Sequence, residues 1–126
     1  MRKVVQTGNA PEAIGAYSQA IVADGMVWIS GQIGLDPATG TMVPGGVEAE
    51  ARRLMKNLEA ILEAAGSGFD RVVRATIYLA DLEDFAAVNE IYGGCFGEAP
   101  PSRACVQVSR LPRDARVEVD AVATAG

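Results

Sequence analysis

The sequence predicts an α+β domain, and three observations carry that prediction. Residues 100–108 and 116–123 alternate apolar and polar side chains with the period of two that a strand imposes. Across residues 47–65 the apolar positions recur at helical spacing instead, placing Val47, Ala51, Leu54, Leu58, Ile61, Leu62 and Ala65 on one stripe. Asp24-Gly25, set between two apolar runs, is the strongest short hairpin signal in the chain.

The elements follow in order. A short first strand is expected around Val4-Val5-Gln6, before an irregular segment holding Gly8, Pro11 and Gly15. Residues 20–23 and 26–30 read as strands joined by the Asp24-Gly25 turn, and Asp36-Pro37-Ala38-Thr39-Gly40 has the composition of a turn. The 47–65 helix stops at Gly66, and residues 71–80 return as a strand. Asp81, with Asp84 three residues on, opens a second helix whose inner stripe is Phe85, Val88, Tyr92 and Phe96. The last two strands are expected to form a closing hairpin through Leu111-Pro112-Arg113-Asp114-Ala115. Together these give a mainly antiparallel sheet of about six strands with both helices on one face.

Strand periodicity also assigns faces. Arg103, Cys105 and Gln107 share one side of their strand and Ala104, Val106 and Val108 the other; Glu118 and Asp120 oppose Val117, Val119 and Ala121. Along 71–80, Val73, Ala75, Ile77 and Leu79 are expected under the helices, leaving Val72, Arg74, Thr76 and Tyr78 on the second face. Trp28 and Ser30 share a side of their own strand. A second face carrying Trp, Tyr, Val, Cys and an arginine is neither core nor ordinary wet surface, so it is expected to be buried against other subunits. Mixed polar and apolar linings at such junctions often form small-ligand sites. An arginine is costly to desolvate without an anion, and its planar fork suits a carboxylate, so Arg103 is the natural receptor for a small carboxylate ligand.

Composition removes whole classes of function. At 126 residues the chain is read as one domain, 1–126. It is 49% hydrophobic and 21% charged, without an apolar run approaching the ~18 residues of a membrane span or a secretory signal after Met1, so a soluble cytoplasmic protein is expected, with an organelle as the alternative. The net charge of −5 and the lack of a basic block argue against a nucleic-acid partner. Cys95 and Cys105 fit neither a disulfide framework nor a zinc spacing. With no histidine, catalysis by Ser-His-Asp, Cys-His or imidazole bases is ruled out, and no metal site is expected. The glycines at 31, 34, 40, 45 and 46 lack the spacing of a phosphate or dinucleotide loop.

Several separated motifs then coincide: Gly15-Ala16-Tyr17-Ser18-Gln19-Ala20, Ile29-Ser30-Gly31-Gln32-Ile33, Asn57-Leu58, Asp84-Phe85 with Val88-Asn89 and Tyr92, Pro101-Ser102-Arg103, Leu111-Pro112 and Val117-Glu118-Val119. In this order, from about Gly8 to Ala123, they resemble the RidA (YjgF) family of reactive-intermediate deaminases, and the arginine at 103 resembles the RidA subfamily proper. The resemblance implies a chorismate-mutase-like fold, a homotrimer with a central barrel, and clefts between subunits. It implies hydrolysis of 2-imino acids and their enamine tautomers, such as 2-aminoacrylate, to 2-keto acids and ammonia without a cofactor. Ala16 departs from the proline usual there, which loosens the backbone before Tyr17 without removing a reactive group.

Carried over by position, the resemblance makes Arg103 the carboxylate clamp and Glu118 the residue that orients or activates water, with Tyr17, Ser30, Gly31, Asn89 and Cys105 lining the same cleft. Each has a plainer reading: an inter-subunit salt bridge for Arg103, with Glu118 as its partner; packing for Cys105 and Tyr17; turn or hydrogen-bonding roles for Ser30 and Asn89. Two other functions stay open. A non-catalytic carboxylate-metabolite binder would use the same arginine, and turnover separates it from an enzyme. A translation-inhibiting ribonuclease, as described for some family members, conflicts with the acidic charge; Arg52, Arg53 and Lys56 read as the solvated face of the first helix.

Overall fold

The computed structural model describes residues 2–126; Met1, the first residue of the expected domain, lies outside them. Six strands form one sheet: β1 (Arg2–Val5), β2 (Ala20–Ala23), β3 (Met26–Gln32), β4 (Val72–Leu79), β5 (Ser102–Gln107) and β6 (Val117–Thr124), in the order β1-β2-β3-β6-β4-β5. Helices α1 (Gly46–Ala64) and α2 (Phe85–Gly93) pack on one side of it. The β2–β3 hairpin turns at Asp24 and Gly25, with φ of 50° and 74°, the paired positive angles of a type I′ turn.

The expected closing hairpin does not form. β6 pairs antiparallel with both β3 and β4, while β5 lies beyond β4 and pairs with it in parallel. The chain therefore crosses over through α2 between β4 and β5, as a parallel pair requires. α2 is also shorter than the stripe suggested. It ends at Gly93, and Phe96 reaches the core from beyond the helix, its ring 4.8 Å from Tyr92 and 5.4 Å from Phe69. Asp81 does open this region, accepting the Glu83 N–H at 2.9 Å at the head of a 3-10 turn that leads into α2.

The core lies between the sheet and the helices. Leu54, Leu58, Ile61 and Leu62 of α1 and Val88 and Tyr92 of α2 are buried with Val27, Ile77, Val117 and Val119 of the sheet. On β4 the expected inward set is corrected at one end. Val72 is buried and Val73 is 43% exposed, because a bulge between Val72 and Arg74 adds a residue and reverses the alternation there. Ala75, Ile77 and Leu79 face the helices as expected.

A second bulge shapes β3. Ile29 pairs with Ala121 and Gln32 with Val119, so Ser30 and Gly31 together oppose Asp120. The helix-free face carries two cross-strand rows: Val4, Ile21, Trp28, Val122 and Arg74, then Tyr78 beside Glu118. Val4 and Trp28 are 54% and 53% exposed on it.

Candidate active site

Two clusters of the sequence-predicted residues form, on opposite faces of the sheet. The first surrounds Glu118. Its position alternates with the buried Val117 and Val119, so the side chain projects from the helix-free face toward the β3 bulge. There it packs on Gly31 so closely that a Cβ at that position would overlap the carboxylate. A side chain at 31 would thus have to displace the Glu118 carboxylate, and it is this approach rather than the backbone angles of Gly31 that favours glycine there. A cavity of about 560 Å³ opens over the pair, with Tyr17, Ser30, Ile33 and Arg113 also in its wall. Ser30 donates its hydroxyl to the Ser18 carbonyl at 2.6 Å and its N–H to Gln19 at 3.0 Å, which pins the Tyr17 segment to β3. The buried Gln19 secures that segment further, accepting from Thr7 N at 2.7 Å and donating to the Pro11 carbonyl at 2.8 Å. Tyr17 itself stays half exposed.

Burial, with the nearby Asp120 charge adding to it, pushes the Glu118 carboxyl above the ordinary glutamate range. Such a carboxylate is a stronger base than a solvated one, and it keeps a proton available nearer to neutral pH.

The second cluster surrounds Arg103. In the parallel register Arg103 pairs with Ala75 and Cys105 with Ile77, both helix-side residues, so this end of β5 faces α2. The Arg103 guanidinium donates to Asn89 Oδ1 at 2.6 Å and lies over two rings, 5.4 Å from the centre of Phe85 and 5.1 Å from that of Tyr92. A flat, delocalised cation suits that position, and one nitrogen edge is left for a planar anion. Cys105 sits half-buried against the core, and burial, partly offset by Arg103, pushes its thiol up, away from the thiolate a nucleophile needs.

One protomer therefore joins Tyr17, Ser30, Gly31 and Glu118, and separately joins Asn89, Arg103 and Cys105. The assignment of Arg103 to the second face is corrected, and Glu118 is not its ion-pair partner within the chain. Phe85 and Tyr92, read from sequence as core, are in addition the platform of the arginine. Their spacing to Asn89 on α2 was the available signal. Arg53 of the α1 basic group is engaged, its Nε donating to Asn57 Oδ1 at 3.1 Å, and Arg52 and Lys56 lie exposed near Glu48 and Glu59. Among the described residues no group of three or more His, Cys, Asp or Glu side chains is placed to hold a metal, and no helix is long and apolar enough to cross a membrane.

Known proteins resemble the chain in both sequence and fold. The mouse 2-iminobutanoate/2-iminopropanoate deaminase is 53% identical over the whole chain and 93% of its own length. The structure of Escherichia coli TdcF with bound serine superposes with a TM-score of 0.93 at 41% identity, covering 98% of this chain and 99% of that one. A Rid-family protein of Yersinia pestis gives a TM-score of 0.97 at 40% identity, covering 99% and 100%. The family model for endoribonuclease L-PSP matches residues 7–125, and the chain belongs to that family, also called YjgF/RidA.

Proposed function

We propose that this protein is a 2-imino acid deaminase, hydrolysing reactive 2-imino and 2-enamino acids to 2-keto acids and ammonia in clefts shared between subunits of a homotrimer. The observation that carries the reading is Glu118: a half-buried, proton-avid carboxylate set in a cavity against a glycine. Relatives named as deaminases at about half identity over the full chain support it, as does the serine held by TdcF, an amino acid of the same size class as 2-aminoacrylate.

An imine carbon is already electrophilic once its nitrogen is protonated, so the reaction needs orientation, one positioned water and proton traffic rather than a strong nucleophile. Arg103 binds the substrate carboxylate through its free edge, with Asn89 fixing the opposite edge. Glu118 takes a proton from water as the water oxygen bonds to the imine carbon. It returns that proton to nitrogen, then accepts the hydroxyl proton as the C=O bond forms, the C–N bond breaks and ammonia leaves. For an enamine, protonated Glu118 first supplies C3. Tyr17, Ser30 and Gly31 shape the walls, and Cys105 flanks the arginine.

Because Arg103 and Glu118 project from opposite faces of one sheet, a single substrate reaches both only when a second copy brings its β5 edge to the cavity. The test generates imines in situ with an amino-acid-oxidising or dehydrating enzyme and follows keto-acid release. Faster release in the presence of this protein is expected. Unchanged release with stoichiometric ligand binding would make it a carboxylate-metabolite binder instead.

A further inference from the structure

We propose that Asp120, held by the Tyr78 hydroxyl, is a positioning residue whose fixed negative charge sets the pH range over which Glu118 exchanges protons with the reacting imine. This rests on the deaminase reading above. Glu118 and Asp120 are two residues apart on β6, so both side chains leave the same face with Cα atoms about 7 Å apart. Among the described residues Asp120 forms no ion pair. On the β3 side it faces the Ser30-Gly31 bulge, where the serine hydroxyl already donates to Ser18 and the glycine has no side chain. On the β4 side Thr76 lies directly opposite, and Tyr78 donates its hydroxyl to Asp120 Oδ2 at 2.9 Å.

The groups that face Glu118 are likewise few. Tyr78 is its cross-strand neighbour on β4, and Asp120 is its neighbour on β6. Glu12 and Tyr17 come from the segment before β2, and Arg113 from the turn before β6, all in the wall of its cavity. Arg113 already donates to the Gly40 carbonyl at 2.6 Å. Tyr78 orients Asp120, and donating that hydrogen bond to a carboxylate pushes the Tyr78 phenol up in turn. The charge nearest to Glu118 on its own strand is therefore negative, and it disfavours ionisation of Glu118 beyond what burial does.

The test uses the intact oligomer and two near-isosteric variants, with sedimentation and circular dichroism verifying assembly and fold. Carbon-13 NMR titrates the Glu118 carboxyl without substrate, its resonance assigned by Glu118→Gln, and the pH dependence of kcat/KM is measured alongside. Asp120→Asn removes the charge and keeps the shape, so the NMR midpoint and the acid limb of kcat/KM are both expected to fall by about one pH unit. Tyr78→Phe removes the donor that disperses the Asp120 charge, so that charge acts more fully on Glu118 and both readouts rise. A Glu118 midpoint that stays put in both folded variants, or moves the same way in both, overturns the proposal. The NMR arm decides this even if the parent protein fails to deaminate imines, an outcome that would overturn the deaminase reading instead.

Discussion

At the scale of single residues, the behaviour of Arg103 follows from its platform. The guanidinium is clamped at one edge by Asn89 and lies over the rings of Phe85 and Tyr92, so shape matters as much as charge. Arg103→Lys keeps the charge but loses the planar fork. It is expected to lower kcat/KM by on the order of 2 kcal/mol, roughly 30-fold, and Arg103→Ala by more. Both variants should sediment as the parent does; near-normal turnover by an assembled alanine variant would refute the clamp. Glu118 carries a cost of the opposite kind. Its carboxyl is raised in the folded state, so its contribution to stability is present below the ordinary glutamate value and is lost as pH rises through the folded value. Glu118→Gln is therefore expected to melt higher than the parent at neutral pH, with the difference closing under acid, while deamination is lost. Calorimetry across a pH series checks this, and a parent that is the more stable at neutral pH would contradict it.

At the scale of elements, the two helices are tied to the sheet by polar groups that hydrophobic patterning does not reveal. Glu50 on α1 is 1% exposed, and its two oxygens accept the Arg116 backbone N–H and guanidinium, each at 2.8 Å. This fixes α1 at the start of β6, two residues ahead of Glu118. Glu50→Ala leaves that N–H unpaired in a partly buried place and empties a packed position, so a loss of about 3 kcal/mol is expected in urea unfolding. A change within error would mean that apolar packing alone seats the helix. The α1 stripe itself was plain in the sequence, because its spacing depends only on local geometry, yet Glu50 and Asn57 sit within the buried side, and the hydrogen bonds that hold them there could not be read from that spacing. Strands were equally plain, and their partners were not. Alternation says which residues of β5 share a face, but whether that face meets the helices depends on pairing with β4 in parallel, a contact decided across the α2 crossover. The bulges at Val73 and at Ser30-Gly31 are invisible to period-two reasoning for the same reason, and the second creates the pocket of Glu118. The residues of the two clusters could thus be named from sequence, while their division between two faces could not.

At the scale of the whole molecule, the helix-free face remains to be accounted for. Val4, Trp28, Val73 and Val106, each 41–54% exposed, lie on a sheet surface that neither helix of the described residues covers. Apolar side chains spread over a sheet face are what a subunit interface buries, and the proposed deaminase reading, which unites the Arg103 and Glu118 clusters in one cleft, calls for a second copy as well. The ring of three implied by the family resemblance satisfies both demands, closing the open faces against one another and setting one cleft at each junction. Trp28 is the only tryptophan, so its fluorescence reports on that face alone. We expect a homotrimer in sedimentation at micromolar concentration, with tryptophan emission typical of an apolar setting that shifts to the red as the subunits separate in denaturant. Loss of deamination should track that shift, since a lone protomer holds Arg103 and Glu118 on opposite sides of its sheet. A folded, active monomer would show that the cleft is built within one chain, and both the shared site and the role of the exposed face would then have to be abandoned.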